Sequence, residues 1–116
     1  MIEGISAVTL LTADMARAVV FYESLGFVLR YGGGDADFTS FTIGSNYLNL
    51  ALQPDYAAAR WGRIVLYVSD VDAMHARALS KGYEPSTAPR DAEWGERYFH
   101  ISDPDGHELS FARPPA

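Results

Sequence analysis

Apolar and polar residues alternate strictly in Tyr47-Leu48-Asn49-Leu50-Ala51-Leu52, with the leucines on one side and Tyr47, Asn49 and Ala51 on the other. That period of two is the mark of a half-buried strand. Glu108-Leu109-Ser110-Phe111 repeats it, setting Leu109 and Phe111 against Glu108 and Ser110. Two other segments carry apolar residues at helical spacing: Met15, Ala18, Val19, Tyr22 and Leu25, then Val71, Met74, Ala78 and Leu79. Asp14 and Asp70 stand ahead of them as N-caps, and Gly26 and Gly82 follow as C′ glycines. Further strands are predicted over 27–31, 37–43 and 97–101, with Gln53 to Gly62 as a linker. Gly32-Gly33-Gly34 precedes no helix and lacks a P-loop lysine, so it reads as a turn rather than a phosphate cradle.

These elements recur. Val8/Ile64, Leu10/Leu66, Asp14/Asp70, Gly26/Gly82 and Phe27/Tyr83 are each 56 residues apart, about half the chain. The pattern is βαβββ, twice. Helices packed on the leucine side of each sheet leave the other side to Ala7, Thr9, Tyr47, Asn49, Arg63, Val65, Tyr67, Tyr98, His100, Glu108 and Ser110. A sheet face rich in tyrosine with scattered polar groups suits a ligand better than bare solvent.

Composition narrows the chemistry. With 116 residues and 48% of them hydrophobic, one globular domain over 1–116 is expected. The chain has no cysteine, which excludes disulfides, thiolate metal sites and cysteine nucleophiles. Nine Lys+Arg against fifteen Asp+Glu give a net charge of −6, the wrong sign for a nucleic-acid partner. Near the N-terminus, the apolar stretch is broken by Ser6, Thr9 and Thr12 and has no basic flank, so neither a membrane partner nor export is expected. A cytoplasmic protein is the expectation.

Several motifs sit inside the repeat: Phe21-Tyr22 ahead of Leu25-Gly26-Phe27, Val68-Ser69-Asp70-Val71-Asp72-Ala73, and Asp103-Pro104-Asp105-Gly106-His107-Glu108-Leu109. In this order and spacing the chain resembles the vicinal oxygen chelate superfamily, the group of glyoxalase I, bleomycin resistance proteins, fosfomycin resistance proteins and extradiol dioxygenases. The resemblance covers nearly the whole chain. It implies an α+β fold in which two βαβββ modules, here about 1–53 and 62–116, form an open, curled mixed sheet around a cavity, usually within a homodimer.

The resemblance also implies four metal-ligand positions on the first and last strands of the modules. They are occupied here by Ala7, Asn49, Arg63 and Ser110. Alanine has no donor, arginine is a fixed cation, and Asn and Ser offer only weak neutral oxygens. No metal and no other cofactor are therefore expected. Glu108, His100 and Asn49 are the residues left for an irregular site.

The expected function is sequestration of a planar or aromatic small molecule, as in bleomycin resistance proteins. Tyr47, Tyr67, Trp94 and Tyr98 would supply stacking surface, and Asn49, Arg63, His100 and Ser110 would orient polar or anionic groups. Trp94-Gly95-Glu96-Arg97 matches a stretch of bleomycin-resistance-like members, and the resemblance implies that Trp94 stacks on the ligand. The alternative is an enzyme: a glyoxalase-type lyase or isomerase, or a dioxygenase, using either a metal or His100 and Glu108 as acid and base. The remaining histidines take bland roles, His75 at the surface of the second helix and His107 in a turn. Trp61 is expected to pack.

Overall fold

The computed structural model describes residues 1–114. It is an α+β fold that divides into two compact units, Met1–Ala58 and Ala59–Ala116. Unit 1 contains β1 (Ala7–Thr12), α1 (Met15–Ser24), β2 (Val28–Tyr31), β3 (Phe38–Ile43) and β4 (Asn46–Leu52). Unit 2 contains β5 (Arg63–Tyr67), α2 (Val71–Ser80), β6 (Arg90–Asp91), β7 (Arg97–Ser102) and β8 (Glu108–Arg113). Each unit holds one four-stranded mixed sheet, ordered β1-β4-β3-β2 and β5-β8-β7-β6.

In both units the first strand runs parallel to the last, and the remaining pairs are antiparallel. A parallel pair needs a long crossover, and the helix after the first strand begins it. Both helices start as the sequence predicts. The Asp14 carboxylate accepts from Arg17 N at 3.1 Å, and that of Asp70 from Ala73 N at 3.0 Å. Gly26 and Gly82 follow with φ of 99° and 87°, a region that glycine enters without penalty.

The core of unit 1 joins Met15, Ala18, Val19 and Tyr22 of α1 to Leu10, Phe41, Leu48 and Leu50, all buried. Tyr22 meets the Phe27 ring edge-on at 5.0 Å and lies 5.7 Å from Phe41. In unit 2, Val71 and Ala78 of α2 are buried along with Leu66, Phe99, Ile101, Leu109 and Phe111, and the Phe99 and Phe111 rings are 5.5 Å apart. Burying each large apolar side chain stabilises the fold by roughly 1.5 to 3 kcal/mol relative to exposure.

Three expectations change. Leu79 does not join the core stripe of α2 but is 54% exposed. At the repeat spacing it corresponds to Glu23, another exposed helix position, whereas the buried Leu25 corresponds to Lys81. His75, by contrast, is partly exposed as expected, its ring meeting the edge of Phe99 at 5.1 Å. His107 is not a bland turn residue: it is buried and accepts from the Trp61 indole N–H through Nδ1 at 2.8 Å. The second strand of the second module, expected just after its helix, shrinks to the two residues of β6. Pro85 and Pro89 cannot donate to a ladder, and a turn from Ala92 to Glu96 closes the hairpin early (Ala92 N to Glu96 O, 2.7 Å).

The triple-glycine segment connects β2 to β3, as a turn. Gly32 has φ of 82°, and a Cβ there would collide with the Phe38 carbonyl oxygen, so no other residue fits without a backbone shift.

Replacing Asp70 with alanine removes the N-cap acceptor of α2. The expected loss is about 1 kcal/mol of stability, read as a lower urea midpoint with an unchanged denaturant slope.

Candidate functional site

Alternation on β5, β7 and β8 builds the site. Ile64 and Leu66 of β5 pair with Leu109 and Phe111 of β8 on the helix side. The residues between them, Arg63 opposite Glu108, Val65 opposite Ser110 and Tyr67 opposite Ala112, therefore share the other face. β7 adds His100 opposite Ser110 and Tyr98 opposite Ala112. On this face Arg63, Val65, Trp94, Glu96, Tyr98, His100, Ser110 and Ala112 line a cavity of about 170 Å³. An apolar cavity of roughly 150 Å³ is enough for one benzene ring.

Five residues expected at a ligand site thus lie together: Arg63, Trp94, Tyr98, His100 and Ser110. Tyr67 does not line the cavity, but its hydroxyl donates to Glu96 Oε2 at 2.7 Å. Tyr47 and Asn49 belong to unit 1. There the Arg30 guanidinium sits 4.1 Å over the Tyr47 ring, and the Asn49 amide donates to Thr9 Oγ1 at 3.3 Å. Ala7 pairs with Tyr47 at the start of β1.

Glu96 and Ala112 are the lining residues that sequence reasoning overlooked, and Glu96 is the one of them with polar chemistry. The signal was present, because Trp94, Glu96, Tyr98 and His100 fall at alternate positions running into β7. Its two carboxylate oxygens are both engaged at 2.7 Å, Oε1 by the Trp94 indole N–H and Oε2 by the Tyr67 hydroxyl. The Tyr67 bond and then the Trp94 bond hold the Glu96 carboxyl below its ordinary value, and Glu96 in turn raises the Tyr67 phenol. Trp94 lies nearly parallel to Tyr98, 13° between planes and 6.4 Å between centroids. On Tyr98, the hydroxyl accepts from Arg90 Nε at 2.7 Å.

Ser110 is buried, and its Oγ shares a hydrogen bond of 2.6 Å with His100 Nδ1. The His100 backbone is held by the 86–87 segment: its N–H donates to Thr87 Oγ1 at 3.0 Å, and its carbonyl accepts from Ser86 N at 2.9 Å. Burial pushes the imidazole below its ordinary value, the Arg63 and Arg90 charges push it further, and Glu108 opposes them. His100 is therefore neutral at pH 7, able to give or take a proton at the ring nitrogen not bonded to Ser110. Glu108 faces Arg63 at 3.4 Å and Arg60 at 3.7 Å, so its carboxylate is spent on guanidinium groups rather than on the imidazole.

The donor set is a poor one for a divalent metal. Among the described residues no three His, Asp or Glu side chains cluster as ligands. The four positions that the resemblance marks hold Ala7, Asn49, Arg63 and Ser110, and the last three are already bonded within their own sheets. The residues present do not fit a metal centre.

Comparison with known proteins settles the family. Residues 4–111 match the family described as the Glyoxalase/Bleomycin resistance protein/Dioxygenase superfamily. The chain belongs to that superfamily. An uncharacterized protein of Mycobacterium bovis is 31% identical over 121 residues, covering 90% of this chain and 80% of its own. The metallothiol transferase FosB of Shouchella clausii is 29% identical over 116 residues, covering 94% of this chain and 79% of that one. Among solved structures, a bleomycin-binding protein complexed with bleomycin superposes with a TM-score of 0.76 at 24% identity, over 97% of this chain and 98% of the other. At that identity the likeness shows the fold.

The electrostatics can be tested directly. The His100 imidazole is expected to titrate below 6.5 by NMR, and Arg63→Ala to move it upward, since that change removes one cation and frees Glu108. The native group binds its proton less readily than the unfolded one. His100 therefore makes stability fall as pH drops from about 6.5 to the lower native pKa, and level off below it.

Proposed function

We propose that the unit 2 cavity binds a planar or aromatic small molecule, without a metal, and that the protein sequesters this ligand rather than transforming it. The observation that carries the reading is the near-parallel Trp94 and Tyr98 pair beside a ring-sized cavity with Arg63, His100 and Ser110 in its wall. Such a site takes a flat ring by stacking and hydrophobic burial, and orients a carbonyl or anionic substituent through the guanidinium and imidazole. A cavity of 170 Å³ is smaller than the roughly 300 to 1,000 Å³ of whole-ligand sites, so it receives one ring system of a larger molecule. That a superfamily neighbour is named a bleomycin-binding protein supports this class of function.

The superfamily match runs through both units, which supports reading residues 1–116 as one domain of two modules. A homodimer in the cytoplasm completes the proposal. Among the described residues no helix is long and apolar enough to cross a membrane.

The second reading is an enzyme, and one observation favours it: the 2.6 Å bond between buried Ser110 and a neutral imidazole. His100 would then move a proton on the bound ligand while Arg63 stabilises developing negative charge. The donor set argues against the metal-dependent version.

The experiment is a titration of planar aromatic compounds followed by tryptophan fluorescence quenching, with product analysis of each hit. Binding without turnover is expected, with Trp94→Ala weakening it by about 1 to 2 kcal/mol, the scale of a lost aromatic pair plus buried area. His100→Ala is expected to cost about 1 to 2 kcal/mol in affinity, one hydrogen bond at a buried site. Turnover abolished by His100→Ala would establish the enzyme instead. Retention of about one metal per chain after desalting, released by a chelator, would defeat the metal-free reading.

A further inference from the structure

We infer that Glu96 is the positioning residue of the cavity, acting as a hydrogen-bond clasp that sets the plane of Trp94 against Tyr98 and ties the 92–96 turn to β5. The inference rests on the ligand-binding reading for its purpose, but its geometry stands apart from any ligand.

Trp94 is 69% exposed and sits in a turn, with the Tyr98 ring 6.4 Å away, so packing constrains its indole only weakly. Its directional restraint is the bond from Nε1–H to Glu96 Oε1 at 2.7 Å. The carboxylate cannot swing to follow the indole, because its second oxygen accepts from Tyr67 at 2.7 Å. Tyr67 belongs to β5 and Glu96 adjoins β7, with β8 between them in the sheet. The clasp therefore spans the open face across β8, beside Ala112 and Ser110. The turn is closed beneath it by Ala92 N to Glu96 O at 2.7 Å and Gly95 N to Ala92 O at 2.9 Å. Each of the three side chains is exposed or half-buried, so the arrangement contributes little to the core. Its effect is to fix an aromatic wall before a ligand arrives, which lowers the ordering cost of binding.

This role makes a demand on position 96 that charge recognition does not. Glutamine can accept from the Trp94 N–H through its carbonyl oxygen and donate from its amide to the Tyr67 hydroxyl oxygen. Both links survive with the direction of one reversed. Alanine keeps neither. A carboxylate present only for its charge would be lost equally in both variants.

The test uses the full chain labelled with 5-fluorotryptophan, its two ¹⁹F resonances assigned through Trp94→Phe, together with binding of the neutral planar probe 2-naphthamide. Urea midpoints and circular dichroism confirm that each variant folds. Without probe, Glu96→Ala and Tyr67→Phe are expected to shift the Trp94 resonance and narrow its line as the indole is released. Glu96→Gln is expected to leave it close to wild type, and the Trp61 resonance should not move in any variant. With probe, Glu96→Ala is expected to weaken binding roughly tenfold, in keeping with two lost hydrogen bonds, and Glu96→Gln by no more than about threefold. An unchanged Trp94 resonance in Glu96→Ala, or a Gln variant as altered as the Ala variant, overturns the clasp. If 2-naphthamide fails to bind the wild type, the sequestration reading loses that support while the ¹⁹F result still decides the role of Glu96.

Discussion

The parallel pairing of β5 with β8 is the constraint on which the rest of unit 2 depends. Strand side chains alternate with a strict period of two, so a slip of one residue would exchange the two faces. The pairing of Ile64 with Leu109 and Leu66 with Phe111 turns those four toward α2. The same register leaves Arg63, Val65, Ser110 and Ala112 no choice but the opposite side. Core burial thus holds the cavity wall in place. Leu109 and Phe111 are essentially inaccessible, and sending them to the other face would forfeit several kcal/mol of hydrophobic stabilisation. Ser110 and Ala112 are themselves nearly buried, so β8 is enclosed on both faces, as a central strand between β5 and β7 should be.

Within the cavity the charged groups are mostly answered by their neighbours. Arg63 has Glu108, Glu96 has two neutral donors, and His100 loses its charge between burial and two guanidinium groups. The surface left open to a ligand is aromatic, led by the exposed Trp94 ring, which runs nearly parallel to Tyr98. Stacking and exclusion of water therefore carry the affinity in the proposed function, with the polar groups discriminating among ligands that fit. Satisfied charges also avoid the cost of burying an unpaired one when a ligand covers them.

Sequence periodicity revealed the fold where a single physical rule governs an element. The β4 and β8 faces follow from alternation, and the helix limits follow from Asp14, Asp70, Gly26 and Gly82, whose side chains or φ values perform those tasks. The sequence was silent where long-range contacts decide. His107 lies buried against Trp61, 46 positions earlier, and nothing local marks the partner. Glu96 was hidden differently. It shares a face with Trp94, Tyr98 and His100, but a glutamate next to a turn normally signals solvent, and the Tyr67 hydroxyl that anchors its second oxygen lies 29 residues away. Leu79 misled because helical spacing alone cannot tell a core stripe from an apolar residue that the helix turns outward.

The internal repeat shows how small changes rewire one scaffold. Asn49 faces Thr9 across β1 and β4, and Ser110 faces Val65 across β5 and β8. In unit 1 both members of the pair are polar, and the Asn49 amide bonds the Thr9 hydroxyl. In unit 2 valine offers no partner, so Ser110 must satisfy its buried hydroxyl on the other side, where β7 presents His100. A buried hydroxyl left unbonded would cost about 1 to 3 kcal/mol, and the bond to His100 avoids that cost. The residue of β3 that faces Asn49 is Ser40, whose Oγ accepts from Arg30 at 3.4 Å instead. Identical topology thus yields an amide–hydroxyl pair in one unit and a serine–imidazole pair in the other. With valine at position 65, the side chain across the sheet that partners Ser110 is the histidine of β7.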